Sequence, residues 1–272
     1  MKTKKKTDKE NVHIVPHYFL HPTNPISVNL IGVGGTGSVL LTALARINYA
    51  LVELGHAGLM VRAFDPDSVE EPNLGRQLFS HHEIRMNKAV ALINRVNRFF
   101  GTSWKAFDCA YGDGMEKTDV LANITVSCVD TVSARQGIAA LFDSFSNGKN
   151  QRDSSIYWMD FGNSRDSGQV LLSTLGEIKQ PESKKFNTVA ELPTIIGEFN
   201  GMLDQSGEDD QPSCSLAQAL GRQDLFVNSA LADLGASLLW TMFTVGMLRY
   251  RGFFLNLAEF RANGIKIQQY GN

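Results

Sequence analysis

The chain has 272 residues, 43% of them hydrophobic and 20% charged, with 26 basic against 28 acidic side chains, a globular composition rather than a disordered, fibrous or membrane one. A net charge of -2 gives no broad electrostatic pull toward nucleic acid, and the longest apolar-rich run, residues 234–248, is interrupted by Ser, Thr and Gly and falls short of the ~18 residues of a membrane span. Cys109, Cys128 and Cys214 form no C-x-x-C pair, which points to a reducing, cytoplasmic setting and away from a disulfide framework or a zinc knuckle.

In chain order, residues 1–11 read as a solvated basic tail, since clustered lysines without apolar periodicity cannot offset the entropy of ordering. Residues 12–272 read as a single domain. The run SVNLIGVG at residues 27–34 is almost continuously apolar, the pattern of a strand covered on both faces, and a helix follows over residues 37–54. Further strands are predicted at GLMVRAFD, near residues 104–109, at ITVSCVD ending on Asp130, at SIYWMDF and at QVLLSTL. Helices are predicted at residues 87–100 and 133–145. The alternation calls for a Rossmann-like, doubly wound mixed sheet. Residues 177–215 form an unusually long irregular connection, read as a crossover loop. A long apolar helix over residues 215–249 and a C-terminal hairpin turning at Asn263-Gly264 complete the chain.

The first strand-to-helix turn, Gly32-Val33-Gly34-Gly35-Thr36-Gly37-Ser38, has the G-x-G-x-x-G spacing that lets a polyanion approach free backbone N–H groups at a helix start. That fingerprint alone favours a dinucleotide, with Asp65 at the tip of the second strand holding ribose hydroxyls. The following loop argues for a triphosphate. It carries Asp67, Asn73, Arg76 and Gln77, with Lys88 at the head of the next helix, and a guanidinium fork plus an ammonium suit charge leaving on phosphoryl oxygens.

The pieces G-x-G-G-x-G-S, D-x-D-x-V-x-x-x-N-L-x-R-Q (here with Gly75 before Arg76), a downstream lysine and C-x-D followed by an arginine-bearing helix occur in order from Gly32 to Arg135. In this the sequence resembles the ThiF/MoeB/ubiquitin-activating (E1-like) superfamily, and the stretch PSCSLAQALGRQDLFVNSALADLG is similar to the ThiF-like proteins of the PRTRC system. The resemblance implies an adenylation domain that binds ATP and Mg²⁺. Gly34, Gly35 and Ser38 would line the nucleotide, Asp65 would bind the ribose, Asn73, Arg76, Gln77 and Lys88 would surround the phosphates, and Asp130 would hold magnesium. The substrate implied is the C-terminal carboxylate of a small ubiquitin-like or sulfur-carrier protein, and the assembly a homodimer, for which the apolar helix around Leu238–Met247 is a candidate face.

Cys214, at the junction of the loop and the long helix, matches the place where relatives carry a thioester-forming cysteine, and a thiol at a helix N-terminus is the better nucleophile. The C-x-x-C zinc motifs and the N-terminal arginine helix of many relatives have no counterpart. His13, His17 and His21 repeat every fourth residue, but Pro16 breaks any helix, so packed or hydrogen-bonded histidines are expected. Two other readings stand beside adenylation: an NAD(P)-dependent oxidoreductase, and a catalytically silent nucleotide-binding scaffold.

Overall fold

A computed structural model describes residues 9–144, 154–197 and 223–269. Eleven strands lie among the described residues, eight of them in one sheet. Its parallel half is built from β2 (Ile26–Ile31), β3 (Leu59–Phe64), β4 (Lys105–Phe107), β5 (Ile124–Ser127) and β6 (Tyr157–Asn163). The antiparallel half adds β7 (Ser167–Thr174), β10 (Tyr250–Asn256) and β11 (Arg261–Lys266). The order is β11-β10-β7-β6-β5-β2-β3-β4. β2 lies between β3 and β5, so strand order reverses beside it, which is where open α/β sheets bind ligands, outside the carboxyl ends of the strands.

The crossovers are α1 (Gly35–Glu53), α2 (Lys88–Phe100), the single-turn α3 (Lys117–Val120) and α4 (Val132–Ser144); α5 (Val227–Thr244) follows the antiparallel return. α1 buries Leu40, Leu44, Ile47 and Leu51, one stripe at helical spacing. α2 starts under an Asn87 side-chain cap on the Val90 N–H and ends at Gly101 in the left-handed region. α1 and α5 pack together against the sheet. Gly235 is what lets α5 descend, since a Cβ there would stand 2.4 Å from the Phe161 ring of β6. No described helix is long and apolar enough to cross a membrane.

A second, three-stranded sheet has the order β8-β1-β9, from β1 (Glu10–Ile14), β8 (Phe186–Thr188) and β9 (Met247–Leu248). It changes three expectations. β1 begins at Glu10, within the stretch read as tail, because Glu10 and Asn11 pair in parallel with Phe186 and Asn187. β8 gives regular structure to the connection read as irregular throughout. The long helix stops at Thr244, five residues short of the predicted end, where Gly246 turns at φ +67° into β9. The C-terminal hairpin also turns elsewhere than at Asn263-Gly264. These residues lie inside β11, opposite Phe254 and Phe253, and the reversal comes between Asn256 and Arg261. Gly264 serves packing, since its missing Cβ would be 2.7 Å from the Tyr250 ring. His13 is buried and hydrogen-bonded, to the Val189 carbonyl at 2.7 Å and the Tyr157 hydroxyl at 2.8 Å.

Candidate functional site

The carboxyl ends of β2, β3, β5 and β6 open onto one cleft of about 1010 Å³, the size range of small-molecule sites. Gly32, Gly34, Gly35, Asp65, Asp67, Asn73, Arg76, Gln77, Lys88 and Asp130 all line it. Sequence positions spread over about a hundred residues thus converge on one hollow. Gly37 and Ser38 do not face it. Gly37 packs behind the turn, where a Cβ would fall 2.0 Å from the Gly32 carbonyl oxygen. The Ser38 hydroxyl is used internally, donating to the Gly35 carbonyl at 3.0 Å and accepting from the Leu78 N–H at 3.1 Å. Both residues shape the turn and its neighbouring loop from behind. Cys214 lies outside the described residues.

Asp65 is buried at the end of β3. One carboxylate oxygen accepts from the Val33 N–H at 2.7 Å and the other from the Asp67 N–H at 2.9 Å, so the side chain braces the glycine turn and the next loop. Burial pushes its pKa up, against those two hydrogen bonds and nearby Lys88. Asn73 caps its own turn, accepting from the Glu70 N–H at 2.9 Å. Lys88 is the first residue of α2; its ammonium meets the Asp67 carboxylate at 2.8 Å and its side chain is only 9% exposed. Asn87 ties the same corner together by donating to the Asp65 and Asp67 carbonyls.

Two atoms on this wall lack partners among the described residues. Arg76 Nε and Gln77 Oε1 are buried without a hydrogen bond, a condition that costs about 1–3 kcal/mol each when nothing replaces water. Burial pushes the Arg76 pKa down and nearby Asp130 works against that, and a guanidinium remains charged through such a change. Asp130 lies three residues beyond the end of β5, not on the strand, and is exposed. Its carboxylate takes no hydrogen bond among the described residues.

A magnesium–nucleotide complex fits this donor set. Among the described residues no group of three His, Cys, Asp or Glu side chains could hold a metal alone, so a metal at Asp130 would need phosphate oxygens and water, the usual environment of Mg²⁺. Arg76, with its Nε unpaired among the described residues, and Lys88 would supply cationic donors for the same phosphates.

Several wall residues carry no obvious sequence signal. Phe64, Tyr111, Gly112, Ile138 and Leu141 form a largely apolar side. There Phe64 stacks on Phe107 at 4.6 Å, and Tyr111 meets Phe64 edge-on at 5.2 Å. At the other end Asn228, buried at the start of α5, accepts from the Thr36 hydroxyl at 2.9 Å and the Asn163 amide at 2.6 Å, and donates to Gln223 at 3.0 Å. Gly35 presses against this carboxamide, with 2.5 Å from a built Cβ to Asn228 Nδ2. The clue available in the sequence was an asparagine inside the apolar run FVNSALADL.

A Rossmann-like mixed sheet with an antiparallel extension and a glycine turn at its switch point defines the class as the E1-like α/β fold. Residues 14–198 match the ThiF family model, and the chain belongs to that family. No curated protein matches it. Among solved structures, PaaA is similar at a TM-score of 0.57 and 14% identity, with 90% of this chain and 65% of that one covered. E. coli MccB, solved with AMPCPP and MccA, gives 0.57 and 15%, covering 90% and 64%. The same protein solved with ATP gives 0.52 and 16%, covering 91% and 64%. The chain therefore spans about 65% of the length of these structures.

Proposed function

We propose that the chain binds Mg-ATP in this cleft and adenylates the C-terminal carboxylate of a small ubiquitin-like or sulfur-carrier protein. The observation that carries the reading is the convergence of Arg76, Gln77, Lys88 and Asp130 beside the glycine turn, with a buried Arg76 donor left unpaired. ThiF family membership supports it, as do the MccB structures with ATP and with MccA.

In the proposed reaction a carboxylate oxygen attacks the α-phosphorus, the bond from that phosphorus to the bridging oxygen breaks, and pyrophosphate leaves with the electron pair. The attacking group is already ionised at neutral pH, so the protein's work is alignment and charge neutralisation rather than proton transfer. Arg76 and Lys88 take up charge on the departing phosphates, while Asp65 keeps the glycine turn in register through the Val33 N–H. Magnesium bound with the nucleotide would withdraw charge from the phosphoryl oxygens. A subsequent thioester on Cys214, a homodimeric assembly and membership of the PRTRC group of ThiF proteins belong to the same proposal.

ATP–pyrophosphate exchange measured with and without a candidate ubiquitin-like protein tests it. Exchange that depends on the partner and falls ~10²–10³-fold in Arg76→Ala is expected. Nicotinamide binding without exchange would favour the oxidoreductase reading, and equal exchange by wild type and variant the scaffold.

A further inference from the structure

Asp130 leaves β5 on a segment without regular structure, and nothing among the described residues hydrogen-bonds its carboxylate. What fixes its backbone is Arg135, one turn into α4. One terminal nitrogen of this guanidinium donates to the Val129 carbonyl at 2.7 Å and the Phe161 carbonyl at 3.0 Å, and the other donates to the Thr131 carbonyl at 3.2 Å. The carbonyls of the two residues on either side of Asp130, Val129 and Thr131, are thus gripped by a single planar fork, a geometry that lysine cannot reproduce. Behind it, Asp160 of β6 accepts from Arg135 Nε at 3.0 and 3.1 Å and from the Ser127 hydroxyl at 2.5 Å. The Trp158 indole donates to the Ser127 oxygen at 2.7 Å. The Arg135 and Asp160 side chains are 6% and 2% exposed, and neither lines the cleft.

We infer that Asp160 and Arg135 are positioning residues that hold Asp130 where it faces a metal–nucleotide complex, a role that rests on the nucleotide-binding reading above. Stability alone is a poor account of the pair, because well-packed apolar side chains commonly replace a buried ion pair at no cost. What apolar residues cannot replace is the grip on the carbonyls of Val129 and Thr131. Groups that orient a metal-binding side chain typically change metal affinity or activity by ~10–100-fold when removed.

The test compares wild type, Asp130→Ala, Arg135→Lys and the paired Asp160→Met/Arg135→Met variant. Each is titrated with a fluorescent ATP analogue in magnesium and in EDTA, with thermal melting alongside. The paired variant is expected to fold but to melt below wild type, since the Val129, Thr131 and Phe161 carbonyls lose their donor, and to bind the analogue ~10–100-fold more weakly in magnesium. In EDTA it should match wild type, and adding Asp130→Ala should weaken binding no further. Arg135→Lys keeps a cation beside Asp160 and should lose magnesium-dependent affinity in the same direction, so a failure of the paired variant to fold leaves a second readout. Wild-type affinity in magnesium for either folded variant, while Asp130→Ala is impaired, overturns the positioning role. Wild-type affinity for Asp130→Ala itself overturns the nucleotide reading at that residue, and the positioning role with it.

Discussion

Gly37→Ala sets two effects against each other. Alanine is the better helix former by about 1 kcal/mol in a helix interior, so on propensity alone a substitution in the first turn of α1 should stabilise. The geometry opposes this. A Cβ at residue 37 would lie 2.0 Å from the Gly32 carbonyl oxygen and 2.9 Å from its carbon, and the colliding atoms are backbone with no rotamer to escape into. The turn cannot simply retreat, because Gly32 is at φ +81° with its own Cβ direction blocked 2.8 Å from the Cys128 carbonyl oxygen. Forcing a methyl into a packed site costs about 1–3 kcal/mol, and a backbone collision belongs at the upper end. The net expectation is a loss of about 2 kcal/mol, roughly a 4–8 °C fall in melting temperature for a domain of this size, together with weaker nucleotide binding because the displaced segment is the cleft wall. Urea and thermal melts of both proteins, followed by a nucleotide titration, check it. A variant as stable as wild type or more so would refute the reasoning.

Other expectations follow from side chains already described. Arg76→Ala should melt at or slightly above the wild-type temperature while losing exchange activity, because the atom removed is one whose burial is uncompensated; a large fall in stability would contradict it. Burial holds the His13 pKa below its ordinary value. The unfolded chain therefore binds a proton at pH values where the native protein does not, and stability should decline as pH drops below about 6.5, levelling off below the native pKa. In His13→Gln that portion of the pH dependence should flatten, and an unchanged slope in urea titrations between pH 7 and 5 would assign it to other groups. Cys214→Ala should keep partner-dependent pyrophosphate exchange and abolish any thiol-sensitive covalent adduct seen on a non-reducing gel. Loss of exchange would instead put Cys214 in the adenylation step.

The main sheet was readable because its central strands are buried on both faces and so appear as apolar runs, as in β2, β5 and β6. The strands β1, β8 and β9 have two to five residues and pair across long sequence separations, and such edges leave no periodicity to detect. Asn263-Gly264 misled because a hairpin signal is local, whereas the need for a glycine beside Tyr250 is set across the strand pair. In the cleft, residues carried by a fixed spacing near one turn could be listed in advance. Asn228 and Asn163 there, and Asp160 behind it, could not, since each has a partner 25 to 192 positions away. Ser38 illustrates the converse: it stands at the motif position, yet its hydroxyl donates to and accepts from the backbone behind the turn.

The five-residue strand β1 has one further consequence. Along one edge it is zipped to β8, which precedes residues 198–222, and along the other to β9, which follows α5. Trimming a protein at its amino end is commonly harmless, but here removal of residues 9–14 would strip β8 and β9 of the one strand they share, and with it the whole small sheet.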